Sequence, residues 1–252
     1  MDVEANVLLR NAPLKEVIFE LHWELEYIAE ENIQIDKGFE EAAMNFKSVC
    51  QQGFKVVEIL KPASIPHTAF NNRVTHRFFK EKGRHPLFQF GPGVFTVNDN
   101  NKNYNWDDFN QMVLNGLNCL KTSYSNPLVL SRVELRYVDA VSVDILGQSD
   151  KFDFLRTHLH VNAQGYEFVD GKLEDINFAK KFSVDGDNYL HIMIATGVDR
   201  QTKKETVMWH TYINNSKRIS WEELPKWLEG AHKIASKTFK KMLSNELYNK
   251  FI

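Results

Sequence analysis

The sequence predicts an α+β fold, and three observations lead to this prediction. Apolar residues alternate with a period of two in segments 16–26 and 132–143, as in strands with one buried face. They recur every three to four positions after residues 36, 105 and 220, as in amphipathic helices. The order over residues 16–143 is strand, helix, strand, strand, helix, strand. This order predicts a ferredoxin-like βαββαβ half with both helices on one face of an antiparallel sheet.

The first strand and the first helix show these patterns most directly. The odd positions 17–25 are all apolar, beginning with Val17, Phe19 and Leu21, whereas the even positions 16–26 are mostly charged. Asp36 is predicted to cap the helix that follows, and Gly53 is predicted to end it, because these residue types favour the two helix ends.

A Gly91-Pro92-Gly93 sequence interrupts the β-rich run 86–100. Glycine has no Cβ and proline has no N–H, so we interpret it as a bulge in one bent strand, which pairs with a strand at 73–80. An anion-binding loop is the alternative, but such a loop leads into a helix, and a β-branched run follows here. Together with Asn98 and Asp99, the Gly91-Pro92-Gly93 sequence forms a candidate loop.

Asn105 starts the second helix, with Asp107 and Asp108 in its first turn, and Asn126-Pro127 ends it. The strand at 132–143 follows. The polar stretch 144–150 is the best boundary in the chain, so we predict one subdomain over residues 1–147 and a second over residues 148–252.

The second subdomain is predicted to be an antiparallel three-stranded meander covered by a long C-terminal helix. A short helix is expected at 152–160, before three strands at 176–184, 189–196 and 206–213. The terminal helix opens with the capping box Ser220-Trp221-Glu222-Glu223, and its apolar stripe is expected to cover a sheet.

Composition excludes several classes of function. The 31 basic residues nearly balance the 33 acidic ones, which disfavours general nucleic-acid binding. No run of about 18 apolar residues and no export signal is present, so we expect no membrane span and a cytoplasmic location. Cys50 and Cys119 lie in helical patterns and are expected to be reduced, buried thiols.

Six blocks spread over nearly the whole chain carry a resemblance: residues 13–20 (PLKEVIFE), 89–99 (QFGPGVFTVND), 104–106 (YNW), 135–139 (LRYVD), 228–232 (LEGAH) and 244–247 (SNEL). They resemble a sporadically distributed, uncharacterised bacterial family of similar length. The family usually has Asn at the position of Asp139 and Thr-Asp at positions 244–245. Its patchy occurrence implies an accessory of a mobile defence or toxin–antitoxin locus.

Glu20, His22 and Glu24 share one face of the first strand. They are open to three interpretations: a divalent-metal site, a solvated face, or cross-strand salt bridges to Arg132 and Arg136 on the last strand of the ferredoxin-like half. We favour salt bridges, because no dense His or Cys cluster accompanies them. No metal and no cofactor are therefore predicted.

Asp139 lies on the apolar face of its strand, between Tyr137 and Val141, where an unpaired carboxylate is costly. Either a hydrogen-bond network holds it, or its pKa is raised for general acid or base work. His158, His160, His191 and His210 are expected to be packing or surface residues. No nucleophile, P-loop or dinucleotide motif is found.

These observations favour a non-enzymatic binding or regulatory protein. Five Trp and eighteen Phe residues suggest a surface that docks another protein or a second copy of the chain as a homodimer. The sheet face without helices is expected to be covered by the other half or by that second copy. The alternative is an enzyme or ligand sensor with a polar pocket between the halves, formed by Glu20, His22, Arg136 and Asp139; whether the protein is an enzyme is left open.

Overall fold

The computed structural model describes residues 9, 11–50, 53–60, 65–161 and 170–252. The elements of the first half are β1 (Leu14–Trp23), β2 (Glu26–Ile28), β3 (Ile33–Ile35), α1 (Phe39–Val49), β4 (Val56–Ile59), β5 (His76–Phe79), β6 (Leu87–Gly91), β7 (Val94–Asp99), α2 (Trp106–Ser123) and β8 (Leu130–Ser142). Those of the second half are α3 (Lys151–His158), β9 (Asn177–Asp185), β10 (Asn188–Val198), β11 (Glu205–Asn215), α4 (Leu224–Met242) and α5 (Asn245–Asn249).

One large sheet organises the described part of the chain. Its nine strands stand in the order β4-β5-β6-β7-β1-β8-β11-β10-β9, and every neighbouring pair is antiparallel. Strands β2 and β3 form a separate small hairpin. The predicted α+β class is therefore confirmed at the level of a mixed fold with a large antiparallel sheet.

The sheet order does not confirm the ferredoxin-like topology, because β6 stands between β5 and β7. Gly91 pairs with Val94, so Pro92 and Gly93 form a two-residue hairpin turn, and the prediction of a bulge in one bent strand is wrong. Gly93 has a φ of 76°, the positive value that the residue after proline needs in a tight turn. The run 86–100 is thus two strands.

The two halves of the chain join edge to edge. Strand β8 pairs with β1 on one side and with β11 on the other, so strands from both sides of the predicted boundary share one sheet. The expectation that the second half covers the open sheet face is therefore wrong. Coverage by a second copy and the division at residue 147 stay predictions.

Four helices pack on one face of the sheet. Phe46 of α1, Leu120 of α2 and Leu228 of α4 belong to one buried cluster with Phe19 and Leu135 of the sheet. Helix α3 joins a second cluster around Trp209 on the same face. Helix α4 contacts β11 and β8, so it lies over the junction of the two halves, and β9 stays mostly exposed.

The prediction that Asp36 caps α1 is wrong, because Gly38 occupies the N-cap position. Its Oδ2 instead accepts hydrogen bonds from Trp23 Nε1 (2.9 Å), Gly93 N (3.0 Å) and Tyr124 Oη (2.7 Å). One carboxylate therefore ties together the end of β1, the β6–β7 turn and the end of α2.

Other local predictions are confirmed. Asn105 caps α2 by accepting from the amides of Asp107 and Asp108. Ser220 and Glu223 exchange the two hydrogen bonds of a capping box just before α4. Cys50 and Cys119 are free; Cys50 is buried as predicted, whereas Cys119 is only half-buried. The short helix α5 was not predicted. Within the described residues, no helix is both long and apolar enough to cross a membrane.

Candidate ligand-binding cavity

A cavity of about 450 Å³ lies on the helix face of the sheet, where the two halves meet. Its walls come from the segment before β1, the start of α2, strands β8 and β11, and α4. The polar and aromatic residues that line it are Tyr104, Asn105, Trp106, Asp107, Tyr137, Asp139, Thr211, His232, Ser236 and Phe239. Pockets of this size hold small organic ligands.

Asp139 is the central polar group of this cavity. It is only 4% exposed, and no hydrogen bond or ion pair to it is found among the described residues. Burial raises the pKa of its carboxyl to about 7, against the opposing effect of the positive charge of Lys15. A carboxyl group that is half ionised near neutral pH therefore faces the cavity.

Thr211 is a second polar group without a partner. It is 2% exposed, and its Oγ1 is buried without a hydrogen bond within the described part of the chain. Strand pairing places Thr211 opposite Tyr137, two positions along β11 from the residue opposite Asp139. A buried polar atom left without a partner costs about 1–3 kcal/mol.

The wall beside Asp139 is a chain of neutral, hydrogen-bonded side chains. Burial lowers the pKa of His232 to about 4, so its imidazole is neutral at pH 7. Its Nδ1 lies 2.8 Å from Tyr137 Oη, which in turn lies 3.2 Å from Tyr104 Oη. Burial raises the pKa of both phenols, so both hydroxyl groups stay protonated at neutral pH.

Trp106 completes this wall. Its ring stacks on His232 with 3.8 Å between centroids and 5° between planes. Its Nε1 donates to Glu229 Oε1 (3.3 Å), which also accepts from Asn110 (2.9 Å). Helix α2 and helix α4 are thereby joined at the cavity, and the ring is held in one orientation.

The other predicted site residues lie on the opposite face of the sheet. Glu20, His22 and Arg136 occupy alternating positions that face away from the helices, whereas Asp139 faces them. The predicted pocket that would combine all four is therefore wrong. Only Asp139 lies at the cavity.

The predicted salt bridges between strands are also wrong in their partners. Arg132 and Arg136 both bond Glu134, whose side chain is 2% exposed, and Arg136 Nε lies 2.9 Å from Glu134 Oε1. Glu20 stands directly opposite Glu134 and bonds His22 Nε2 at 2.7 Å. The register explains the change, because it puts each arginine diagonal to Glu20 and next to Glu134 on its own strand.

Glu24, the third residue of the predicted set with Glu20 and His22, forms an ion pair of 2.8 Å with Arg218, which precedes α4. The described residues include no group of three or more His, Cys, Asp or Glu that could hold a metal ion. The prediction of a site without a metal or cofactor stays a prediction.

A double-mutant cycle tests the arginine–glutamate cluster. Glu134→Ala should lower the free energy of unfolding by about 1–3 kcal/mol, because two guanidinium groups lose a buried partner. Glu134→Ala and Arg136→Ala should couple by about 1 kcal/mol in chemical denaturation. The matched pair Glu20→Ala and Arg136→Ala should couple by less than half of that. Equal coupling energies for the two pairs would support the predicted cross-strand salt bridge between Glu20 and Arg136.

The candidate loop is structural. Gly91, Pro92 and Gly93 form the hairpin turn described above, and Asn98 and Asp99 lie in β7. Asn98 accepts from Gln89 and Thr96 and donates to Glu16 at 2.8 Å, all on the open sheet face. These residues do not line the cavity.

Two of the four histidines that were expected to be packing or surface residues, His158 and His191, contact other side chains of the protein. His158 is buried and lies 3.0 Å from Ser244 Oγ, and His191 stacks on Tyr212 and bonds Asn214. Sequence reasoning missed Thr211, His232, Trp106 and Tyr104 as site residues. All except Thr211 fall within the blocks that carry the family resemblance, which was the one signal that pointed to them.

Comparison of the chain with protein-family models, with curated proteins and with solved structures found no match. The resemblance to the sporadically distributed bacterial family therefore stays a prediction.

Proposed function

We propose that the protein is a ligand-binding regulatory protein, a sensor that takes a small molecule into the cavity around Asp139. The observation that carries this proposal is Asp139 itself, a nearly fully buried carboxylate that lines a 450 Å³ cavity and has no partner among the described residues. Burying an ionised group without compensation costs free energy of folding, and a ligand with complementary donors offsets this cost.

The walls of the cavity support a regulatory role. A ligand there touches β8, β11, the start of α2 and the middle of α4, elements that come from both halves of the chain. A ligand shifts a conformational equilibrium by the difference between its affinities for the two conformations. A ligand in this cavity therefore favours the conformation in which these four elements lie together. The output partner, a protein or a second copy of the chain, and a place in a mobile defence locus are proposals from the sequence alone.

A second candidate function is enzymatic, and the pKa of Asp139 favours it. A carboxyl group with a pKa of about 7 is well matched to general-base work at neutral pH. Product analysis of bound ligands by mass spectrometry distinguishes the two candidates, because a sensor returns its ligand unchanged.

A thermal-shift screen of a small-molecule library, followed by calorimetry, tests the proposed function. We expect at least one ligand class to raise the melting temperature of the wild type and to bind Asp139→Asn at least tenfold more weakly. The control is Arg136→Ala, on the opposite face of the sheet, which should keep wild-type affinity. Ligands that bind both Asp139→Asn and the wild type equally well would place binding elsewhere and contradict the proposal.

A further inference from the structure

The charged side chains that line the cavity are acidic. Among its described lining residues, the acidic side chains are Asp107 and Asp139, and no lysine or arginine lines it. His232 adds no positive charge at pH 7, because burial and the nearby positive charge of Lys233 hold its pKa near 4. Lys15, an exposed residue of β1, lies close enough to lower the pKa of Asp139, but it is not part of the lining.

The start of α2 does not reverse this balance. Helix N-termini attract anions through free amides, but Asn105 Oδ1 already accepts from the amides of Asp107 (2.8 Å) and Asp108 (3.2 Å). The side chains of Asp107 and Asp108 add negative charge to the same turn. A phosphate or carboxylate group would therefore meet repulsion and find few donors, whereas a cation would meet an unpaired carboxylate.

Most of the remaining lining is apolar or aromatic. Leu14, Ala235 and Phe239 supply aliphatic and aromatic surface, and the rings of Tyr104 and Trp106 border the same space. Aromatic rings attract cations through their electron-rich faces and also pack against apolar groups. The ligand that suits this lining has a charged end and an apolar body.

We infer that the cavity selects a small organic cation, with a primary ammonium or amidinium group directed at Asp139 and an apolar or aromatic body against Trp106 and Tyr104. This inference rests on the proposed function and specifies its ligand class. The N–H groups of the cation donate to the carboxylate of Asp139, which has no partner among the described residues.

Three probes with one phenyl body and different charges test the inference: phenethylamine, phenylacetamide and phenylacetate. Binding is measured at pH 8 by calorimetry and by ligand-detected NMR. We expect phenethylamine to bind at least tenfold more tightly than the amide and the acetate, and Asp139→Asn to remove this preference. Arg136→Ala should leave the affinity of the amine unchanged.

Two results would overturn the inference. If phenylacetate or phenylacetamide binds as tightly as the amine, and Asp139→Asn weakens it, the cavity binds ligands but does not select cations. If none of the three binds at millimolar concentration, the cation class is wrong. The library screen described above then decides the proposed function separately, because it includes neutral and anionic compounds.

Discussion

Asp139→Asn should stabilise the protein at pH 8, and its advantage over the wild type should grow by about 3 kcal/mol between pH 5 and pH 8. Burial raises the pKa of this carboxyl from its ordinary value of 3.8 to about 7. The folded state therefore favours the protonated acid. Its contribution to stability is complete below the pKa of the unfolded chain and is lost as pH rises through about 7. Asparagine stays neutral and does not lose it.

Chemical denaturation at a series of pH values measures this difference. Groups that titrate in both proteins cancel, among them His232, whose pKa is about 4 in the folded protein and has its ordinary value of 6.5 in the unfolded chain. Thr211→Val is the matched control, because it changes a neutral buried group of the same cavity, and its effect should not depend on pH. Parallel pH profiles of Asp139→Asn and the wild type would show that the carboxyl group has a partner. A stabilised variant that has lost its ligand is the behaviour of a functional polar site.

Gly91→Ala should lower the free energy of unfolding by about 4 kcal/mol or more, or prevent folding. A Cβ at Gly91 would lie 1.9 Å from Arg73 O and 2.8 Å from Arg73 C, both of them backbone atoms. Relief requires the β6–β7 turn to separate from the segment before β5. Two hydrogen bonds hold them together there, Asn72 N to Pro92 O (2.7 Å) and Thr75 N to Phe90 O (3.0 Å).

Gly197→Ala is the control for this substitution. Gly197 lies in β10, and no atom lies within 4 Å of a Cβ built there. Replacement of a strand glycine with free space around it should be neutral or stabilising by about 0.5 kcal/mol, because alanine restricts the unfolded chain. Denaturant titration of both variants measures the contrast. A Gly91→Ala protein within 1 kcal/mol of the wild type would show that the turn moves easily.

Local patterns in the sequence were sufficient to determine most of the elements. The alternation around Val17 and Val133 shows which face of each strand is buried, and the helical periodicity after Asn105 shows which face of α2 is buried. Each pattern can be recognised within its own segment, without knowledge of the neighbouring elements. The same alternation placed Asp139 on the apolar face. The sequence therefore predicted a buried carboxyl group, and the structure describes no partner for it among the described residues.

Only the tertiary structure decided how these elements meet. Alternation assigns a side chain to a face but does not say which strand pairs with which, or in what register. The pairing of Gly91 with Val94 makes β6 and β7 two strands, which alternation alone does not show. In the same way, Arg136 bonds Glu134 of its own strand rather than Glu20 of the neighbouring strand. The cavity wall joins Asp139, Thr211 and His232, which lie far apart in the chain. Their proximity depends on the pairing of β8 with β11 and on the packing of α4, which no local pattern contains.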